Sequence, residues 1–316
     1  METVLVTGGA GFIGSHLAEC LLKKGKRVVV VDNLDSYYDP AQKKNNIKIL
    51  EAYPGFKFYK QDIRDFNGLA RVFERHKIDK IAHLAAKCGV RASLQNPKEY
   101  EEVNVGGTLN LLELAKAHKV KCFVFGSSSS VYGVRTKAPF KEEDLVDKPI
   151  SPYAASKRSA ELFCYVYATL YKLNVICLRF FTVYGPRGRP DMAPYKFTQL
   201  ILAGEPITRY GDGSSKRDYT YVSDIVAGVE AALQKQLGFE IINLGNSTPV
   251  TLNEFIATLE RVTGKRAKIV EQPMPKADVP LTCADITKAK RLLNFKPTTS
   301  LDKGLKLFVE WYTKNK

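Results

Sequence analysis

Apolar residues fall along this chain in two alternating rhythms. Short, continuous apolar runs occur at Val4–Val6 and Val28–Val31, and again within FKFYKQDIRD, DKIAHLAA, KCFVFGS and NVICLRFF. Runs of that length without polar interruption predict strands buried on both faces, as in a parallel sheet. Between them the spacing becomes helical. One helix is predicted to run to Lys24 and stop at Gly25, a long one to span Pro97 to His118 with Val103, Leu111, Leu112 and Leu114 inward, and another to extend from Tyr153 to about Tyr171. Strands that alternate with helices predict a doubly wound α/β sheet of the Rossmann type.

After Arg179 the rhythm breaks. TVYGPRGRPDMAP carries five breakers, Gly185, Pro186, Gly188, Pro190 and Pro194, in thirteen residues, which predicts a loop leaving the sheet for a smaller C-terminal α/β subdomain. KFTQLILAG and TLNEFIATLERVTG are expected to be helices of that subdomain, while YVSDIVAGVEAAL and FEIINLG supply a helix and a strand that return to the first domain. The expected division is residues 1–182 with 219–246 for the dinucleotide-binding domain, and 183–218 with 247–316 for the substrate-binding subdomain.

Composition narrows the function classes. With 316 residues, 45% of them hydrophobic, the chain can bury a large core. The net charge of +15 raises nucleic-acid binding, but the basic residues are spread over many predicted helix surfaces, so no nucleic-acid partner is expected. A basic field also favours capture of a polyanionic small ligand. The six cysteines form no C-x-x-C pair, which predicts reduced core thiols and no metal site. No apolar run reaches membrane-spanning length, and the strand entered at Thr3 leaves no room for a signal peptide, so a soluble cytoplasmic protein without a membrane partner is expected.

Three stretches carry chemistry. In VLVTGGAGFIGSHL a strand, a glycine turn and a helix follow one another as a dinucleotide pyrophosphate requires: Gly8 and Gly9 permit the turn, Gly11 lets backbone approach phosphate, and Gly14 lets helix pack on strand. Asp32, 18 residues after Gly14, would accept hydrogen bonds from the adenosine ribose and repel a 2′-phosphate, which favours NAD over NADP. Asp62, expected at the end of the third strand in FKFYKQDIRD, either contacts the adenine or caps the helix that follows. Tyr153 and Lys157 lie four apart on one helix face, 25 positions after Ser128, so both can act on one substrate group. A neighbouring ammonium and a bound nicotinamide cation would both lower the tyrosine pKa.

With TGGAGFIGSHL, SSSSVYG and YAASK in place, the chain resembles the extended short-chain dehydrogenase/reductase superfamily over essentially its whole length. AAKCGVRASLQNP and RFFTVYGPRGRPDMA are most similar to the UDP-glucuronate 4-epimerases within it. The resemblance implies Ser128, Tyr153 and Lys157 as the catalytic triad. It implies cofactor contacts at Gly8, Gly11, Phe12, Ile13, Gly14, Asp32, Asn33, Asp62, Ile63, Leu84, Ala85, Ala86, Tyr153 and Lys157. Arg217 and Asp278 fall where such enzymes hold the nucleotide diphosphate and its ribose, and Arg91, Thr182 and Arg189 fall near the uronate carboxylate. Alternatively Arg189 simply pairs with Asp191 and Thr182 ends a strand. The resembling sugar-nucleotide dehydratases carry Thr-Asp-Glu where this chain has Ser128, Ser129 and Ser130, and the related decarboxylases usually keep that Glu. Removing water needs a further positioned acid and base, which two serines do not provide. The implied activity is NAD-dependent interconversion of UDP-glucuronate and UDP-galacturonate by a homodimer. A 4-epimerase of UDP-glucose or another sugar nucleotide is the alternative, and a UDP-glucuronate decarboxylase or a silent NAD-binding protein ranks below both.

Overall fold

The computed structural model describes residues 1–135, 137–274 and 279–315. The first half alternates β1 (Thr3–Thr7), α1 (Phe12–Lys23), β2 (Arg27–Asp32), α2 (Pro40–Glu51), β3 (Phe56–Lys60), α3 (Phe66–Arg75) and β4 (Lys80–His83). Two short helices, α4 (Val90–Ser93) and α5 (Pro97–Glu101), lead through a π turn at Glu102–Gly106 into α6 (Gly107–Ala117). Then come β5 (Cys122–Ser128), α7 (Pro152–Tyr171) and β6 (Val175–Phe180).

The second half contains β7 (Thr182–Tyr184), α8 (Ala193–Ala203), β8 (Pro206–Tyr210), β9 (Lys216–Tyr221), α9 (Val222–Leu233), β10 (Phe239–Leu244) and β11 (Pro249–Thr251). It closes with α10 (Leu252–Thr263), β12 (Lys268–Gln272), α11 (Thr287–Leu293) and α12 (Leu301–Lys314).

Seven strands form one parallel sheet in the order β10-β6-β5-β4-β1-β2-β3. Both faces are buried, which explains the unbroken apolar runs. Val4, Val6, Val28 and Val30 pack into the core beneath α1 and α9, while Leu5, Val29 and Val31 pack into the core beneath α3, α6 and α7. The chain winds outward from β1 in one direction and, from β4, in the other. A crevice therefore opens beyond the carboxyl ends of β1 and β4, where ligands bind in such sheets.

The smaller part is built on a three-stranded sheet, β11-β9-β7, and a parallel pair, β12-β8. The chain crosses from it directly into α9 at Tyr221–Val222, and β10 then joins the large sheet. α10 opens with a capping box in which Thr251 and Glu254 each accept from the other's backbone.

Two expected elements differ. The predicted helix from Pro97 to His118 is divided by the π turn, whose Asn104 is fully buried and hydrogen-bonded away from the helix axis. The third strand stops at Lys60, short of Asp62, and Asp65 caps α3 by accepting from the Gly68 N–H at 2.9 Å. The short strands β7, β8, β9, β11 and β12 had no separate signature, because each is a few half-polar residues beside turns.

Candidate active site

A cavity of about 660 Å³ lies between the two parts of the chain, over the carboxyl ends of β1 and β4. At its floor is the β1–α1 turn. Gly8 has a positive φ of 70°, and a Cβ there would stand 2.7 Å from the Ala85 nitrogen at the end of β4. A Cβ at Gly14 would stand 2.1 Å from the Gly8 carbonyl oxygen, so α1 can lie this close to the turn only with glycine at both places. Gly11 is the N-cap of α1 and offers its N–H groups no side chain. The result is a helix N-terminus opening onto a narrow backbone cradle, which suits a pyrophosphate.

At the end of β2, Asp32 is buried and its carboxylate accepts from the N–H groups of Ala10 at 3.1 Å and Leu34 at 2.8 Å. Burial raises its pKa above the ordinary carboxylate value, opposed first by the Leu34 N–H. Asn33 donates to Asp62 at 2.9 Å, and Arg64 adds a bidentate pair with its Nε and a terminal nitrogen at 3.0 and 2.8 Å. The Arg64 guanidinium is the main reason the Asp62 pKa falls to about 2. Asp62 thus lines the cavity as a fixed carboxylate and does not cap α3. Ile63, Leu84, Ala85, Ala86, Phe12 and Ile13 line the same space.

The polar end of the cavity is formed by β5 and α7. Ser128 ends β5, and its Oγ accepts from the Ser130 N–H and donates to the Ser130 Oγ, both at 3.1 Å. Ser151 caps α7 by accepting from the Ala154 N–H, and Pro152 occupies the first turn, so Tyr153 and Lys157 project from a fixed helix start. Lys157 is buried, donates to the Gly126 carbonyl at 2.7 Å and lies 4.8 Å from the centre of the Phe125 ring. Burial lowers its pKa to about 8. Tyr153 is half-buried on the cavity wall, and desolvation there drives its pKa well above the ordinary phenol value, with Ser128 and Arg189 acting in the opposite direction. The expected depression by Lys157 is not among its main influences: the ammonium is spent on the Gly126 carbonyl and is itself weakened by burial.

On the opposite wall, Thr182 begins β7, and Arg189 follows in the loop leaving it. Arg189 does pair with Asp191, giving Nε at 3.0 Å and one terminal nitrogen at 2.6 Å to the two carboxylate oxygens. Arg91 on α4 lies 4.6 Å from the centre of the Tyr210 ring, and Arg217 on β9 donates to the Lys216 carbonyl at 3.0 Å. Ser128, Tyr153, Lys157, Arg91, Thr182, Arg189 and Arg217 all line the one cavity. Asp278 lies outside the described residues.

Several cavity residues escaped the sequence reading: Tyr37, Tyr38 and Lys43 from the segment after β2, and Lys87 and Cys88 after β4. Lys43 and Lys87 had no signal as lysines in a polar pattern. Lys43 is buried and donates to the Asp35 carbonyl at 2.7 Å, while Lys87 pairs with Asp35 at 3.0 Å and Glu99 at 2.8 Å. Among the described residues no cluster of three or more metal-ligating side chains occurs, and no helix is long and apolar enough to cross a membrane.

Residues 5–308 match the model of the GDP-mannose 4,6 dehydratase family. A UDP-glucuronate 4-epimerase of Thermodesulfobacterium geofontis is 49% identical over 316 residues, covering 100% of this chain and 97% of the relative. The crystal structure of UDP-glucuronic acid 4-epimerase from Bacillus cereus in complex with UDP-glucuronic acid and NAD is similar at a TM-score of 0.92 and 38% identity, covering 99% of each chain. A UDP-glucose 4-epimerase from Thermotoga maritima, solved with UDP-glucose, is similar at a TM-score of 0.92 and 37% identity over 99% of each chain. Backbone likeness therefore does not separate uronate from neutral-sugar enzymes; side chains must.

Proposed function

The chain belongs to the GDP-mannose 4,6-dehydratase family, within the extended short-chain dehydrogenases/reductases, and on that premise we propose that it catalyses NAD-dependent 4-epimerisation of UDP-glucuronate to UDP-galacturonate. The observation that carries this reading is a single cavity holding both the Ser128, Tyr153 and Lys157 cluster and the Arg189 guanidinium. Ser129 and Ser130 stand where a dehydratase needs an acid and a base, so the family's namesake reaction is not the one served here.

The glycine turn and the α1 N-terminus hold the pyrophosphate, Asp32 takes the adenosine ribose and disfavours a 2′-phosphate by like-charge repulsion, and Asp62 with Asn33 flanks the adenine. Leu84, Ala85 and Ala86 line the cofactor's middle. When bound, NAD supplies a reversible hydride acceptor for C4 and, in its oxidised form, a positive charge that favours the Tyr153 phenolate. Tyr153 removes the O4 proton and later returns it. Ser128 orients O4, and Lys157 holds the nicotinamide ribose. The 4-keto sugar presents its other face before C4 is reduced again, so no cofactor is consumed.

Arg217 and Asp278 hold the nucleotide, Arg91 helps on the sugar side, and Thr182 and Arg189 take the carboxylate. In this reading residues 1–182 with 219–246 serve the cofactor, and 183–218 with 247–316 the UDP-sugar. A homodimer is supported by α7, which leaves Leu162, Tyr165, Val166 and Leu170 between 40% and 65% exposed along one face. A cytoplasmic setting is supported by six unpaired cysteines.

The test is incubation of the purified protein with UDP-glucuronate and no added cofactor. UDP-galacturonate should appear. Turnover of UDP-glucose with none of UDP-glucuronate would assign a neutral-sugar epimerase instead.

A further inference from the structure

Oxidising C4 of a uronic acid creates a β-keto acid, which loses carbon dioxide when its C5–carboxylate bond aligns with the carbonyl π system. In that leak the C5–carboxylate bond breaks, its electron pair passes into an enolate, carbon dioxide departs, and C5 takes a proton from solvent. Return of the hydride and the O4 proton then gives a UDP-pentose. Suppressing the leak requires a carboxylate held at a fixed angle, so the group that holds it must itself be held.

A guanidinium has two edges that can grip a carboxylate with paired N–H groups. Asp191 occupies one edge of Arg189, the Nε and one terminal nitrogen, at 3.0 and 2.6 Å. The other terminal nitrogen has no hydrogen-bond partner among the described residues, and Arg189 lines the cavity. Tyr37 reaches across from the segment after β2. Its hydroxyl donates to the second Asp191 oxygen at 3.2 Å, and its ring lies 5.3 Å from the guanidinium carbon. The loop carrying Arg189 is pinned to the same side by Gln42, whose amide donates to the carbonyls of Arg187 and Gly188 at 2.8 and 2.9 Å.

From this arrangement, and resting on the proposed role of Arg189, we infer that Asp191 and Tyr37 are positioning residues: they lock one edge of Arg189 so that its free edge fixes the uronate carboxylate out of alignment for decarboxylation. Asp191 also cancels the charge of Arg189, so it restrains affinity while securing geometry. Binding and product purity should therefore separate when it is changed. A residue that merely supported the loop would move both together.

The experiment compares the native enzyme with Asp191→Asn, Asp191→Ala, Tyr37→Phe and Arg189→Ala. Each is given UDP-glucuronate, with KM and the ratio of UDP-pentose to UDP-galacturonate measured, and bound NAD assayed to verify an intact cofactor site. Both Asp191 variants should raise the pentose fraction at least tenfold with KM unchanged or lowered. Tyr37→Phe, which keeps the ring and loses one hydroxyl, should fall between them and the native enzyme. Native product purity in both Asp191 variants, or a raised KM without pentose, overturns the inference; native purity in Tyr37→Phe removes Tyr37 from it. If Arg189→Ala leaks and the Asp191 variants do not, only this inference fails. If Arg189→Ala neither weakens binding nor yields pentose, the assignment of Arg189 fails first.

Discussion

In the proposed mechanism Tyr153 sits where desolvation works against the charge that its chemistry requires. The same desolvation that raises its pKa also lowers that of Lys157 to about 8, so two groups of opposite charge type are both biased toward neutrality. In the proposed mechanism the positive charge of bound NAD makes the pair reactive, which ties proton removal to cofactor occupancy. Tyr153→Phe removes the proton acceptor and leaves the ring, so turnover should fall by about 10³-fold or more while bound NAD is retained; residual activity within tenfold of native would rule out the phenolate role. For Lys157 the sign follows from its lowered value: the ammonium is present below about pH 8 and is lost above it. NAD affinity of the native protein should therefore weaken as pH rises from 7 to 9. In Lys157→Met it should be weaker throughout and flat over that range, as read by cofactor titration.

Among the elements, those facing the cofactor were the most legible in sequence, because each rests on a pattern with one physical solution. Unbroken apolar runs need two covered faces, and the glycines at 8 and 14 answer backbone approaches that no side chain permits. The π turn was not legible. Its signal is one extra residue within an apolar helical period, and the reason for it lies 17 and 52 positions away. Asn104 accepts from the Lys87 N–H at 2.8 Å and donates to the Lys87 carbonyl at 3.0 Å and to Ser156 Oγ at 2.9 Å. Ser156 in turn donates to the Tyr153 carbonyl at 2.9 Å. One buried amide thus joins the loop after β4 to the first turn of α7, and an irregular helix is what aims it there. Asn104→Ala would leave these groups unpaired and should cost about 1–3 kcal/mol of stability in denaturant unfolding. It should also weaken NAD retention, since Ala85 and Ala86 lie on the tethered loop. Native NAD retention in a destabilised variant would confine Asn104 to a packing role.

At the scale of the whole molecule, helices α8 and α10 of the smaller part were legible as KFTQLILAG and TLNEFIATLERVTG, but its sheets were not, because they are assembled from segments far apart in sequence. β9 pairs with β7 and β11, and β12 with β8 across some sixty intervening residues. The apolar face of α7 was hidden for another reason: alone in sequence, Leu162, Tyr165, Val166 and Leu170 look like further core. If that face pairs two copies, as proposed, Leu170→Glu combined with Val166→Glu should give a monomer by light scattering, and a native-sized particle would locate the interface elsewhere.

Two histidines set how the whole fold answers acid. His83 lies between the hydroxyls of Thr7 and Thr108, at 2.7 and 2.9 Å, and His16 meets the Pro186 carbonyl at 2.8 Å. Burial is the main reason that His83 titrates near 3 and His16 near 4. Unfolded, both would titrate near the ordinary 6.5. The folded state therefore binds fewer protons, and stability is fully present above pH 6.5 and falls as the pH drops toward 4. Each histidine contributes a slope of about 1.4 kcal/mol per pH unit within that window. These residues anchor different places: His83 fastens β4 to β1 and α6 behind the cofactor site, and His16 fastens α1 to the loop that carries Arg189. Unfolding free energy measured from pH 7 to pH 5 should fall more steeply for the native protein than for His83→Gln, whose amide cannot take up a proton. Parallel slopes in the two proteins would mean that His83 is already protonated in the fold.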